Sequence, residues 1–193
     1  QGRRLGGPGC YARTGRARKT ADSAERGAPA AEANDTLAEE IASFAEAVLP
    51  RASHKKKKRE LVQRLQQVVR EALDPRAQIY GFGSSFNGCG EASSDIDLVI
   101  YMPPEEAAEL GEQEALRRVA TAAAHGDFTV LEKRMSASVP IVTLELLDEK
   151  RVPTGYTCDV SFQRLLPLHN TRLLRTYVEL MPELAALIVV VKR

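Results

Sequence analysis

Apolar residues recur every three or four positions across Leu37, Ile41, Phe44, Val48 and Leu49, and the run stops at Pro50. That period predicts a helix beginning near Asp35, with one buried face. The same spacing returns after Ser53 in Leu61, Val62, Leu65, Val68, Val69 and Leu73, with Asp74-Pro75 as its stop. The pattern then changes. Residues 78–82 read as a short strand, 83–90 as a glycine-rich turn, and 95–101 as a strand closed by Pro103-Pro104. An amphipathic helix is expected over residues 105–125, then strands over 127–135, 139–147 and 156–162. Two helices finish the chain. One follows His169-Asn170 and carries Leu173, Leu174, Tyr177, Val178 and Met181 on its apolar face; the other starts at Pro182, a favoured first-turn position, and is apolar through Val191. Helices leading into a compact set of strands, then helices again, predict an α+β fold with a small mixed sheet rather than a doubly wound parallel one.

Composition refines this picture in a few places. Residues 1–34 are rich in Gly, Ala, Arg and Pro, with Leu5 and Tyr11 as the large apolar side chains. Such a segment buries too little surface to offset its ordering entropy and reads as a disordered basic arm; its Arg-rich, acid-poor start also suits an organelle transit peptide. The formal charge of +1 conceals an uneven distribution, because residues 1–20 hold six cations and no acid, and a second cationic run spans Lys55 to Arg59. Cys10, Cys89 and Cys158 lack metal-ligand spacing and even pairing, so neither a zinc site nor a disulfide framework is indicated. No apolar run has the length of a membrane-spanning helix, and no membrane partner is expected. The sequence starts at Gln1 and stops inside an apolar run, which reads as a piece of a longer chain; the expected compartment is cytoplasmic or nuclear, with an organelle as the alternative.

The chemistry concentrates in Gly83-Ser84 followed by Ser94-Asp95-Ile96-Asp97-Leu98-Val99-Ile100. Side chains alternate along a strand, so Asp95 and Asp97 project from one face while Ile96, Leu98 and Ile100 fill the other. Neighbouring carboxylates repel and do nothing for folding; they make sense around a divalent cation, since hard Mg²⁺ takes carboxylate and phosphate oxygens together. In Thr157-Cys158-Asp159-Val160-Ser161-Phe162 the alternation again puts an aspartate on the polar face. If that strand neighbours the first, three carboxylates meet the requirement for a two-metal phosphoryl or nucleotidyl transfer. Gly81-Phe82-Gly83-Ser84-Ser85 leaves a strand for a short helical turn, where backbone N–H groups and the Ser84 hydroxyl suit triphosphate oxygens.

These motifs resemble those of the DNA polymerase β-like nucleotidyltransferases, and within them the noncanonical poly(A) polymerases and terminal uridylyltransferases, over residues 35–193. The resemblance implies a nucleotidyltransferase palm at 35–168, with the opening helices of a second helical domain at 169–193. It implies that Asp95 and Asp97 ligate two Mg²⁺ ions (Mn²⁺ as a substitute), and that Asp159 completes the site and assists deprotonation of an RNA 3′-hydroxyl. Val139-Pro140-Ile141-Val142 is similar to the stretch leading to the family's third aspartate. Leu168-His169-Asn170-Thr171, with Leu173-Leu174 and Tyr177, is similar to the uridylyltransferase-type segment in which the Asn contacts the nucleotide ribose, so Asn170 takes that role with Thr171 beside it. A lysine late in the next helix holds the triphosphate in such enzymes, and Lys192 falls there. The implied substrates are an NTP, ATP or UTP, and an RNA 3′ end; protein partners stay unassigned.

Plainer readings stand beside these. The Asp95/Asp97 pair could be solvent-facing strand carboxylates, Asn170 a helix cap, Lys192 an ordinary helix-end charge, and Lys55–Lys58 a solvated helix start with RNA contact as the alternative. A calcium loop fails because Leu98-Val99-Ile100 continues a strand, and the glycines lack dinucleotide or P-loop spacing. His54, His125 and His169 share no ligand spacing. The alternatives to RNA nucleotidyl transfer are transfer to a non-RNA acceptor and a non-catalytic RNA-binding scaffold.

Overall fold

The computed structural model describes residues 28–192, with side-chain surroundings given from residue 36 onward. The chain divides into residues 1–36 and a compact unit of residues 37–193. Most of the basic arm expected at 1–34 lies outside the described residues. Helix α1 spans Ala28–Val48, beginning before Asp35; four of its first six residues are alanine, the side chain with the smallest penalty for entering a helix.

Within residues 37–193 the order is the end of α1, α2 (Ala52–Ala72), β1 (Gln78–Phe82), α3 (Ser84–Asn87), β2 (Ile96–Tyr101), α4 (Pro104–Leu110), α5 (Glu112–His125), β3 (Phe128–Arg134), β4 (Ile141–Leu147), β5 (Pro153–Phe162), α6 (Leu166–Leu180) and α7 (Glu183–Val191). The five strands form one mixed sheet in the order β1-β2-β5-β4-β3. β2 and β5 run parallel, whereas β1–β2, β5–β4 and β4–β3 are antiparallel. Alternation decides which residues each strand buries. Ile96, Leu98 and Ile100 of β2, Cys158, Val160 and Phe162 of β5, and Val142, Leu144 and Leu146 of β4 share one face. Leu61, Leu65 and Val69 of α2 join them in the core, as do Leu116, Val119 and Ala123 of α5. That layer leaves the opposite sheet face free to carry polar side chains from the same strands.

The predicted helix over residues 105–125 is two helices. Gly111 breaks it at φ 76° and ψ 151°, an extended left-handed backbone that a helix cannot contain and that glycine adopts without a Cβ clash. β5 starts earlier than residue 156 and β4 later than 139, since Pro140 gives no ladder N–H. The last pair of helices also shifts. α6 begins at Leu166, capped by Leu165, so Asn170 lies inside the helix rather than capping it, and the 168/169 division falls within that helix. No helix among the described residues is long and apolar enough to cross a membrane.

Candidate active site

Parallel pairing of β2 with β5 sets Asp97 directly opposite Asp159, one rung from the buried Ile96–Cys158 and Leu98–Val160 pairs. Because their apolar neighbours occupy the core face, both aspartates must occupy the other. Asp95 sits just ahead of β2 and has the same parity as Asp97. Thr157 and Thr143 join them: Thr157 precedes Asp159 by two residues, and Thr143 of β4 is the antiparallel register partner of Asp159.

The three carboxylates have different surroundings. Thr157 Oγ1 donates to Asp95 Oδ1 in a short hydrogen bond. Asp159 accepts from Thr143 Oγ1 at 2.6 Å and from an Arg134 guanidinium nitrogen at 3.2 Å. The Asp97 carboxylate receives no hydrogen bond, from side chain or backbone, among the described residues. Its carboxyl is pushed above the ordinary carboxylate range, first by burial and then by the negative charges of Asp159 and Asp95, with Lys192 partly opposing the shift. No three His, Cys, Asp or Glu side chains among the described residues stand in a ready ligand group. Asp95 and Asp159 are turned toward hydroxyl and guanidinium donors, and Asp97 is left as the unsatisfied anion. An acceptor-only side chain with no donor of its own fits a hard cation.

The turn that follows β1 is built against Asp97. Gly83 has φ 73°, and a Cβ placed there would lie 2.2 Å from Asp97 Oδ2. Any side chain would therefore displace the carboxylate. Gly83 N–H donates to Thr171 Oγ1 at 2.9 Å, and the same hydroxyl donates to Pro167 carbonyl oxygen at 2.7 Å. Thr171 is thus a buried clasp between α6 and the turn. Ser84 opens α3, half-buried, and its hydroxyl makes no hydrogen bond among the described residues. At the end of α3, Asn87 Oδ1 accepts the Cys89 N–H at 2.9 Å, and Lys192 Nζ donates to the Cys89 carbonyl at 3.4 Å. Lys192, from the end of α7, therefore stands at the glycine-rich turn and within the field of Asp97. Asn170 is exposed on α6, one residue from Thr171, and its side chain makes no hydrogen bond among the described residues.

Four contributors were not singled out in the sequence. Thr157 could have been, since strand alternation puts it beside Asp159. Thr143 and Arg134 depend on which strands pair. Lys58 was read with its basic neighbours as solvated, yet its ammonium is half-buried and donates to Ser85 Oγ, Glu91 O and Ser94 O at 3.1, 3.3 and 2.7 Å. Burial lowers its pKa, and the nearby Asp95 raises it.

Known proteins resemble this chain in sequence and in fold. The family described as poly(A) RNA polymerase, mitochondrial-like, central palm domain matches residues 37–179. Terminal uridylyltransferase 4 of Homo sapiens is 30% identical over 135 residues, which is 69% of this chain and 8% of that protein. Poly(A) RNA polymerase GLD2 of Bos taurus is 29% identical over 169 residues, 84% of this chain and 34% of the relative. The Cid1 poly(U) polymerase with MgGTP bound superposes with a TM-score of 0.72 at 21% identity, covering 82% of this chain and 47% of the other. Cid1 with its short product ApU gives 0.68 at 22%, covering 82% and 46%. This chain spans less than half the length of each of these proteins, and the structural likeness establishes the fold.

Proposed function

This chain belongs to the family of mitochondrial-like poly(A) RNA polymerase central palm domains, and we propose on that premise that the protein is a template-independent RNA 3′-terminal nucleotidyltransferase. It transfers the nucleotidyl group of an NTP, ATP or UTP, to the 3′-hydroxyl of an RNA. The observation that carries this reading is the register pair Asp97–Asp159, with Asp95 on the same polar face.

The chemistry is one displacement at phosphorus. The RNA 3′-oxygen attacks the α-phosphorus, its proton passes to the Asp159 carboxylate, and the α–β bridging oxygen leaves with pyrophosphate. Asp95, Asp97 and Asp159 would hold two divalent cations, Mg²⁺ or Mn²⁺, which when bound neutralise charge growing on the phosphates and favour the ionised hydroxyl. Asp97, lacking any donor, is the side chain best suited to that task. Ser84 and the N–H groups at the start of α3 face the triphosphate, and Lys192 adds a positive charge at the same turn. Gly83 admits the phosphates close to the backbone. Asn170 is open to a ribose hydroxyl, while Thr171 acts by holding the turn rather than by touching the sugar.

The chain from residue 35 serves as the catalytic palm, and α6 and α7 as the opening helices of a second helical domain. The exposed Leu173, Leu174, Tyr177, Leu180 and Met181 along α6 support a helical continuation, being an apolar row suited to further helices, with its start at Leu166, where α6 begins, rather than at 169.

The test is direct. The protein is incubated with a short RNA, Mg²⁺ and each NTP in turn, and the products are sized. Stepwise lengthening with ATP or UTP is expected, and Asp97→Ala should abolish it without unfolding the protein. RNA binding with no lengthening would favour a scaffold, and labelling confined to non-RNA acceptors would replace the substrate. Persistence of tailing in Asp97→Ala would end the proposal.

A further inference from the structure

Lys58 differs from the cations around it. Lys55, Lys56 and Arg59 are exposed, while Lys58 points inward on the stripe of α2 that continues as Leu61, Leu65 and Val69. A lysine at the head of a core-facing stripe needs partners for three N–H donors, and it finds all of them in the segment that runs from α3 to β2. It donates to Ser85 Oγ at 3.1 Å, Glu91 O at 3.3 Å and Ser94 O at 2.7 Å. Ser85 in turn donates its own proton to the Asp95 carbonyl at 2.8 Å, so the relay runs from ammonium to hydroxyl to backbone without a mismatch of donors. Glu91 N–H and Ser94 Oγ close the inner side of the same loop at 3.0 Å.

The two ends of that loop are the two halves of the site. Ser85 follows Ser84, the residue at the phosphate-facing turn, and Ser94 precedes Asp95. The β1–β2 ladder closes at Phe82–Asp97, so Ser85 and Ser94 each lie three residues beyond the last strand pair, Asp95 stands outside β2 and α3 is a single helical turn. From Gly88 to Asp95 the chain has neither helix nor strand.

We propose that Lys58 is a positioning residue for nucleotide binding: by tying Ser85 and Ser94 to one rigid helix, it fixes the spacing between the phosphate-facing turn and the Asp95 carboxylate. It touches neither the substrate nor a cation. The inference rests on the nucleotidyltransferase reading above and adds to it the residue that sets the geometry of the site.

The experiment uses the full-length protein with Lys58→Met, which keeps the apolar stem, Ser85→Ala, and the pair together. Binding of a magnesium complex of a non-hydrolysable NTP is measured by calorimetry, alongside binding of a short RNA and amide hydrogen exchange over residues 84–95 in metal-free protein. Lys58→Met should weaken the nucleotide complex by about tenfold or more, the size expected for losing a charge-assisted hydrogen bond. It should also speed exchange in the loop and leave RNA affinity within about twofold, a residual change of under about 0.5 kcal/mol. Ser85→Ala should give a smaller effect of the same kind, and the double variant should be no worse than Lys58→Met alone, because both changes cut one relay. Wild type that binds the nucleotide complex while the variants match it overturns the role of Lys58 and leaves the enzymatic reading standing. Equal losses of nucleotide and RNA binding overturn it as well, since they indicate general unfolding. Wild type that binds no nucleotide complex removes the enzymatic reading and this one together.

Discussion

Replacing Asp97 by asparagine should stabilise the metal-free protein while abolishing transfer. Register pairing across β2 and β5 holds Asp97 and Asp159 on adjacent strands, about 4.8 Å apart in the pairing direction. Two unit charges about 5 Å apart repel by roughly 3 kcal/mol at an effective dielectric of about 20, and by under about 1 kcal/mol in water. The site is half-exposed and Lys192 opposes part of the repulsion, so a net gain of about 1–2 kcal/mol is expected from removing the charge. For a chain of this size that raises the melting midpoint by roughly 2–8 °C. The pH dependence has a definite sign. The folded protein raises the Asp97 pKa above its ordinary 3.8, so ionising it disfavours the fold. That penalty is absent below the unfolded pKa, grows as pH rises toward the folded value, and is constant above it. The advantage of Asp97→Asn over wild type should therefore open as pH rises past about 4. Urea unfolding in a chelator over pH 3 to 8 measures it, and added Mg²⁺ should favour wild type selectively. A variant less stable than wild type at neutral pH in chelator, or an advantage as large at pH 3 as at pH 7, would refute the electrostatic account.

Three further outcomes follow from the same contacts. Gly83→Ala must put a Cβ 2.2 Å from Asp97 Oδ2 at φ 73°; a backbone strain of about 1–2 kcal/mol and a displaced carboxylate should reduce tailing far more than RNA binding, read by steady-state kinetics and anisotropy. Thr171→Val removes the acceptor of Gly83 N–H and the donor to Pro167, and should destabilise the fold by about 1–3 kcal/mol in chemical denaturation. Cys158 is fully buried and its thiol pushed well above the usual range, chiefly by burial; it should resist alkylation in native protein and react on unfolding, as peptide mapping would show.

Alternation made the two aspartate-bearing strands legible. Ile96, Leu98 and Ile100 against Asp95 and Asp97, and Cys158, Val160 and Phe162 against Asp159, can each assign a face without any structure. What alternation cannot supply is the neighbour relation: β2 and β5 are joined through two helices and two other strands, and nothing local says that they pair. Thr143 and Arg134 were hidden for that reason, since both reach Asp159 only through strand order. Gly111 was missed because a lone glycine inside a helical pattern is usually tolerated, and here its left-handed extended backbone ended the helix. Lys58 carried a usable signal, standing three, seven and eleven residues before Leu61, Leu65 and Val69, but its place in a run of four lysines masked the periodicity. Asn170 and Thr171 separated by one residue of helix rotation: the first turned to solvent, the second to Gly83.

Local rules of folding are broken at the residues proposed to act, and the surrounding structure compensates each breach from a different element. Like charges face each other across β2 and β5, and hydroxyls from β4 and β5 attend two of the three carboxylates. Gly83 adopts a left-handed backbone at the rim, and a threonine from α6 holds its N–H. A lysine enters the edge of the core, and a loop wraps its ammonium. Asp97 is the exception, with no such compensation beyond the field of Lys192. One carboxylate left without a donor between two others is what the proposed cation sites would use, and the apolar layer of Leu61, Leu65, Leu116 and Val119 behind the sheet supplies the stability that this arrangement requires.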